Sequence, residues 1–315
     1  MVVVGSPSFL RRIAETLKRF VGWQLLTMEF LRDSVRYKRF ATYSGRRPSR
    51  TSDTQLEAQL TMAYHSVEKA LSLRSPRRPF GASVDARLSR YLPEARARAP
   101  QAAYVQSAAA AQEALHDWNV GNALDDGVAP SPTHLAAEAR LDDPFAFFTT
   151  RHSVRNFQGS IPSDEILNTA ITLATRSPSV CNRQPWLVRF YSGEAKRGIL
   201  RYQDGNRGFG DEIPKVALVS VDLGYFVGLG ERNQAWIEGG IFSSTLVWAL
   251  HALGVDTCML NLSLRNGRAQ KLRAAAGMRP SEVPITMIAI GYASTGARVA
   301  RSVRRQETEI VRSAS

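Results

Sequence analysis

Cysteine is nearly missing from this chain: two in 315 residues, Cys181 and Cys258. Two thiols cannot build a disulfide framework, and their scarcity fits a reducing cytoplasm. No zinc-type spacing of cysteine and histidine occurs, so no metal site is expected. No apolar run reaches the ~18 residues that cross a bilayer. The apolar start, residues 1–10, lacks a preceding basic region and a small-residue cleavage site, so it reads poorly as a signal peptide. The two glycine-bearing stretches, 203–210 and 224–230, are too irregular for a dinucleotide or P-loop phosphate cradle. Acidic residues are in deficit, leaving a formal charge of +13. The basic excess is strongest before Arg50 and reverses between residues 101 and 143. Such a chain suits nucleic acid, an anionic membrane or an acidic ligand. Without an aromatic-plus-glycine RNA-binding pattern, no nucleic-acid partner is expected.

What is present divides into two parts. Residues 9–40 read as one or two amphipathic helices, with Leu10, Ile13, Leu17, Phe20 and Trp23 or Leu25 at helical spacing and basic residues between them. Such a helix packs on the main domain or, alternatively, makes peripheral contact with a membrane surface. Residues 41–53 form a Ser/Arg/Pro-rich linker. A helix over 54–72 puts His65, Glu68 and Lys69 on one face. Two ligands are too few for a metal, so a hydrogen bond is the expected role. A basic loop follows at 74–81, then helices at 83–92 and 101–118. The Gly/Asp/Pro-rich stretch 119–133 marks a boundary. A helical region of 1–143 and a second domain of 144–315 result.

The second part changes character. Ser163 is placed to cap a helix running to about Thr175. Short apolar runs at 187–191, 216–221, 257–260 and 284–290 read as buried strands. A long apolar helix over 233–253 ends at Gly254, and a short one over 267–276 ends at Gly277. Helices alternating with buried strands indicate a mixed α/β sandwich.

Two clusters carry the chemistry. Arg151-His152-Ser153-Val-Arg155 gathers cationic and hydroxyl donors suited to a phosphate. Some two dozen residues on, Ser177-Pro-Ser179-Val-Cys-Asn182-Arg-Gln184-Pro-Trp186 sets small and amide side chains between two prolines, in a turn able to hydrogen-bond a flat polar ligand. In this order the clusters resemble the nitroreductase family of FMN-dependent oxidoreductases, over roughly residues 144–311.

The resemblance implies an α+β fold: a three-layer sandwich with a mixed central sheet, preceded here by a helical extension. It implies FMN as cofactor, with the flavin carrying the chemistry and no separate catalytic residue. Arg151, His152, Ser153 and Arg155 would bind the phosphate and ribityl chain. Ser179, Asn182 and Gln184 would lie near the ring, and Asn206 in the glycine-rich loop would contact it. Cys181 reads as a small buried residue and Trp186 as core. Leu260-Asn261 occupies the segment whose backbone approaches flavin N5, but departs from the family's acidic-Gly pair. Arg301 and Arg304 match the basic residues that complete the phosphate site. The helix 233–253, with Gly239, Gly240, Ser243 and Ser244, would pack against its copy in a homodimer. The implied partners are NAD(P)H and a nitro compound, quinone or other small acceptor. The alternatives are a specialised flavoenzyme acting on one biosynthetic substrate, or a flavin-free scaffold.

Overall fold

The computed structural model describes residues 7–42, 47–130 and 141–312, with side chains from residue 21 onward. Residues 1–6 of the apolar start, 43–46 of the linker and 131–133 of the boundary lie outside these. The expected N-terminal helix is a single one, α1 (Pro7–Phe40). After it, α2 (Asp53–Leu71), α3 (Ala82–Arg98) and α4 (Ala103–Val120) pack around a core of their own that includes Leu56, Leu60, Leu88, Leu92 and Leu115. Ser52 and Gln55 form a reciprocal capping box that starts α2. His65 Nδ1 lies 2.8 Å from Glu68 Oε2 on that helix, a local hydrogen bond as expected. Helix α3 runs past Pro93, where the sequence suggested a stop. Arg98 anchors its last turn to Asp53 and to Thr51 O, and Ala95 is buried.

The second half adds α5 (Pro144–Thr150), α6 (Asp164–Ala174), α7 (Gly193–Leu200), α8 (Gln234–Ala252), α9 (Asn266–Ala275) and α10 (Glu307–Ile310). Strands β1 (Trp186–Tyr191), β2 (Lys215–Asp222), β3 (Asp256–Asn261) and β4 (Glu282–Gly291) form one sheet in the order β1-β2-β4-β3. Ser163 Oγ accepts from Ile166 N at the start of α6. Alternate residues of the two central strands enter different cores. Val216, Leu218, Met287 and Ala289 pack with Ile199 of α7 and Leu272 of α9. Ala217, Val219, Ile288 and Ile290 pack with Leu167 of α6 and Leu246 of α8. Both sheet faces are therefore covered, which is why these strands read as continuous apolar runs. The fold is α+β, in three layers.

All pairings among the four strands are antiparallel. Among the described residues, the parallel part of the expected mixed sheet is confined to two isolated bridges, Thr42↔Val227 and Ser153↔Thr257. The register slips at Val219/Ser220, where Pro284 sits in β4 and brings no N–H to the ladder. Ile285 is the unpaired residue. It lies so close to α8 that a Cβ on Gly239 would come within 2.4 Å of its side chain. Glycine there lets helix and bulge meet.

Glu282, at the start of β4, is fully buried and holds three strands together. It accepts from both guanidinium nitrogens of Arg189 (2.6 and 2.8 Å), from Ser220 Oγ (2.8 Å) and from the Arg279 backbone (3.1 Å). Burial would raise its carboxyl, but these donors together hold it below its ordinary value of 4.5. A carboxylate depressed in the folded state contributes stability above its unfolded value and loses it as pH falls. The melting temperature is therefore expected to drop as pH falls below 4.5. The gap between wild type and Glu282→Gln should close over the same range. A gap independent of pH between 6 and 3, followed by thermal unfolding, would show that the ionised form contributes nothing.

Candidate flavin site

Residues 151–155 leave α5 and run along the outer edge of β3. Val154 N donates to Thr257 O at 2.9 Å, and Ser153 makes the parallel bridge to Thr257. Arg155 thereby faces a cleft of about 410 Å³ lined also by Gln203, Gly205, Cys258, Leu260 and Asn261. Its described hydrogen bond is a long one, 3.4 Å to Ser153 O. Arg151 sits over the Trp248 ring of α8 at 5.4 Å, and His152 is exposed. Burial pushes the neighbouring Cys258 thiol up, with Arg155 opposing part of the shift. That is the environment of an inert thiol.

Asn261 ends β3, exposed, with its side chain accepting from Ser263 Oγ at 3.0 Å. Leu260 points into the core, so only its backbone is offered outward. Gln203, which the sequence reading did not select, donates from Nε2 to Asn261 O at 3.1 Å. Asn206, which it did select, turns its amide inward to Leu200 O, Gln203 O and Gln203 Oε1. Asn206 thus closes its own loop, while Gln203 carries that loop to the β3 edge.

The second cluster stands elsewhere. Ser179–Gln184 precedes β1, at the opposite edge of the sheet. Three inter-strand spacings, about 14 Å, separate the two edges. Cys181, Asn182 and Gln184 all have positive φ, at 48°, 53° and 47°. Three left-handed non-glycine residues within four cost roughly 1–3 kcal/mol each and persist only where the surroundings fix them. Cys181 is half-buried rather than buried. Ser179 Oγ accepts from Gln184 N (2.9 Å), and the Gln184 amide donates to Asn182 Oδ1 (3.0 Å). Trp186, expected in the core, is partly buried at the core's margin, stacked on Phe242 at 4.8 Å.

The turn is pinned from behind. The Arg183 side chain is fully buried and donates to Glu231 through both terminal nitrogens (2.9 and 2.7 Å), to Tyr225 O (2.6 Å) and to Val180 O (3.1 Å). Glu238 of α8, 1% exposed, accepts from Val180 N at 2.6 Å, and its Oε2 has no partner. Helix α2 packs against the same turn: Arg183 touches Met62 Sδ at 3.7 Å, and Tyr225 O–H donates to Glu57 at 2.8 Å. Burial, then the charge of Glu57, hold that phenol protonated. The sequence hint was a lone arginine inside a turn of small residues.

Helix α8 links the clusters. Its first half holds the Ser179–Gln184 turn through Glu238, and its last turns meet Arg151 and α5 through Trp248 and His251. Its small residues divide. Gly239 and Ser243 face the sheet, whereas Gly240 and Ser244 are exposed with Trp236, Ile237 and Ile241. Arg301 and Arg304 lie on an exposed tail. Arg304 donates within it, to Ser302 O, and neither arginine lines the cleft with Arg155.

Residues 148–219 match the family model described as Nitroreductase family. No curated protein sequence matches the chain. Among solved structures, a nitroreductase family protein from Streptococcus pneumoniae is 17% identical, covering 53% of this chain and 98% of its own, with a TM-score of 0.46. An FMN-dependent nitroreductase from Clostridium difficile is 18% identical over 52% of this chain and 92% of its own, TM-score 0.42. A Desulfovibrio desulfuricans protein solved in complex with FMN is 18% identical over 56% and 99%, TM-score 0.48. The match to the nitroreductase family model is thus confined to residues 148–219, which run from the end of α5 into β2.

Proposed function

We propose that residues 144–315 form an FMN-binding domain, and that the protein moves two electrons from NAD(P)H to a nitro compound, quinone or other small acceptor. Bound flavin would supply the hydride and electron transfer itself. The protein's part is to hold the phosphate, fix the ring edge and exclude water. Arg151, Ser153 and Arg155 suit the phosphate, since a loosely engaged guanidinium faces a cleft at the β3 edge. The backbone of Leu260-Asn261, steadied by Gln203, suits the ring edge. Ser179, Asn182 and Gln184 supply further donors and acceptors on a strained, pinned turn.

The observation that carries this reading is the position of the two clusters at the two ends of α8. One chain holds them apart. A second copy packed antiparallel across the exposed Trp236/Gly240/Ser244 stripe would set the Ser179–Gln184 turn of one chain beside Arg151–Arg155 of the other. From Glu238 to Trp248 is ten residues, about 15 Å of helix, so the two-fold axis would pass near Ser244, at the C-terminal end of the stripe. Each dimer would then have two flavin sites built from both chains. The exposed tail with Arg301 and Arg304 is also free to reach a partner's phosphate site.

Reconstitution with FMN, followed by heat release and chromatography of the bound flavin, tests the cofactor. FMN rather than FAD is expected, because no dinucleotide fingerprint is present. NAD(P)H oxidation with a quinone or nitroaromatic acceptor tests the activity. Arg155→Ala should weaken FMN binding about ten- to a hundredfold, the worth of one charge-assisted hydrogen bond. The melting temperature of the flavin-free protein should barely move, because Arg155 is exposed. Unchanged FMN affinity would place the phosphate elsewhere.

One observation favours a specialised acceptor. A cleft of about 350 Å³ between α1 and the start of α8 is lined by Leu26, Phe30, Trp236 and Arg265, and shares Ser263 and Leu264 with the Arg155 cleft. A narrow acceptor would show as turnover confined to one member of an acceptor panel.

A further inference from the structure

Helix α1 leaves apolar surface that the α8 pairing does not account for. Leu26 and Phe30 look toward Trp236 across the cleft just described. Met28, Leu31 and Val35 form a separate line on another face, spaced three and four residues apart and 49%, 59% and 67% exposed. In sequence this line continues the spacing of Leu10, Ile13, Leu17 and Phe20. Trp23, 72% exposed, adds an amphipathic ring. Beside the line runs a groove of about 780 Å³ between α1 and α9, where Leu31, Val35 and Met278 alternate with Arg32, Arg36, Arg39 and Arg273.

The charges in that groove are under-compensated. Arg273 Nη1 is buried without a hydrogen-bond partner. Burial, then the charge of Arg273, push Arg36 down to about 10, and Asp33 and Asp222 offset only part of this. Arg36 is tied to Pro280 O and Glu282 O, and Arg32 to Glu29. An anion placed in the groove would relieve the crowding. A small free anion would satisfy the arginines and leave Met28, Leu31 and Val35 in water.

We propose that α1 is a docking surface for an anionic lipid bilayer. It would lie in the plane of the surface, with Met28, Leu31 and Val35 in the acyl boundary and Arg32, Arg36, Arg39 and Arg273 meeting lipid phosphates. Among the described residues no helix is long and apolar enough to cross a membrane, so the contact is peripheral. A second copy of α1 fits the line poorly. The helix carries eight basic and three acidic side chains, and pairing it with itself would oppose like charges without the acidic complement such pairs use. An anionic surface attracts the same charges, and the +13 of the whole chain adds to that pull.

The test is co-sedimentation of the full-length protein with vesicles of phosphatidylcholine alone, or of phosphatidylcholine with phosphatidylserine. Binding to the phosphatidylserine vesicles is expected, falling as salt rises. Arg32→Glu/Arg39→Glu and, separately, Leu31→Ser/Val35→Ser should each weaken it roughly tenfold or more, with far-UV circular dichroism and melting temperature as in wild type. Equal binding to both vesicle types would overturn the proposal, as would binding untouched by either double variant. So would smaller sedimenting particles for both variants without lipid, which would make a second copy the occupant. No readout depends on flavin, so the result stands apart from the proposed enzyme activity.

Discussion

Gly240→Glu is expected to turn the protein into monomers and to strip its FMN in the same step. A Cβ at Gly240 meets nothing within 4 Å in one chain, so the glutamate has room there. Replacing glycine by glutamate within a helix also favours the helix, by roughly half a kcal/mol or more. An isolated chain should therefore tolerate the change or gain from it. In the proposed dimer the same side chain enters a closed interface from each of the two chains, burying two unpaired carboxylates at several kcal/mol. Because each flavin site draws on both chains, dissociation should release the cofactor. Sedimentation velocity and flavin absorbance report the two losses together. Gly239→Ala makes the contrast. Its Cβ would run into Ile285, so it should lower stability by roughly 1–3 kcal/mol through overpacking and leave the interface face untouched. A wild-type protein that sediments as a monomer with FMN fully bound would sink the two-chain site.

That neighbouring glycines have opposite surroundings could not be read from the sequence. Spacing puts Gly239, Gly240, Ser243 and Ser244 on one broad stripe. The contact that sets Gly239 apart is with Ile285, the unpaired residue of the β4 bulge, more than forty residues away in sequence. The elements themselves were far more legible. The Ser163 cap, the apolar run ending at Gly254 and the four short strands are local signals, legible within a residue or two, although β1, expected to be buried, is an edge strand and only partly buried throughout. Helix α7 was not legible, because it is short, carries two glycines, and buries Lys196 beside Ile199 and Leu200; the Lys196 ammonium donates to Ile213 O and Asp211 O. Strand order depends on long-range pairing, and with it the separation of the two motifs at opposite sheet edges. The same limit explains Asn206 and Gln203. Both are amides of one glycine-rich loop, and which one turns inward depends on where that loop meets β3. The support that α2 gives the Ser179–Gln184 turn was likewise invisible, since it runs through Met62 against Arg183, and through Glu57 by way of Tyr225, residues far apart in sequence.

Glu231→Ala is expected to destabilise the fold by about 3 kcal/mol. It strands the Arg183 guanidinium, whose side chain has no solvent exposure, and breaking one side of such a pair typically costs 3–5 kcal/mol. The quarter exposure of Glu231 admits some water and argues for the lower end. Arg183→Met/Glu231→Leu removes both charges and fills the space with apolar atoms, so it should lose much less, because no unpaired ion remains. Flavin binding should not recover in step. Arg183 lies between Asn182 and Gln184, both held at positive φ, and the bonds to Glu231, Tyr225 O and Val180 O keep that turn in its strained form. With the pin gone, the turn should relax toward ordinary backbone and carry the Asn182 and Gln184 amides off their positions. The double variant should therefore melt near wild type while FMN affinity stays low, as in Glu231→Ala. Full FMN affinity in a stable double variant would mean that the turn needs no pin, and that the Arg183–Glu231 pair serves stability alone.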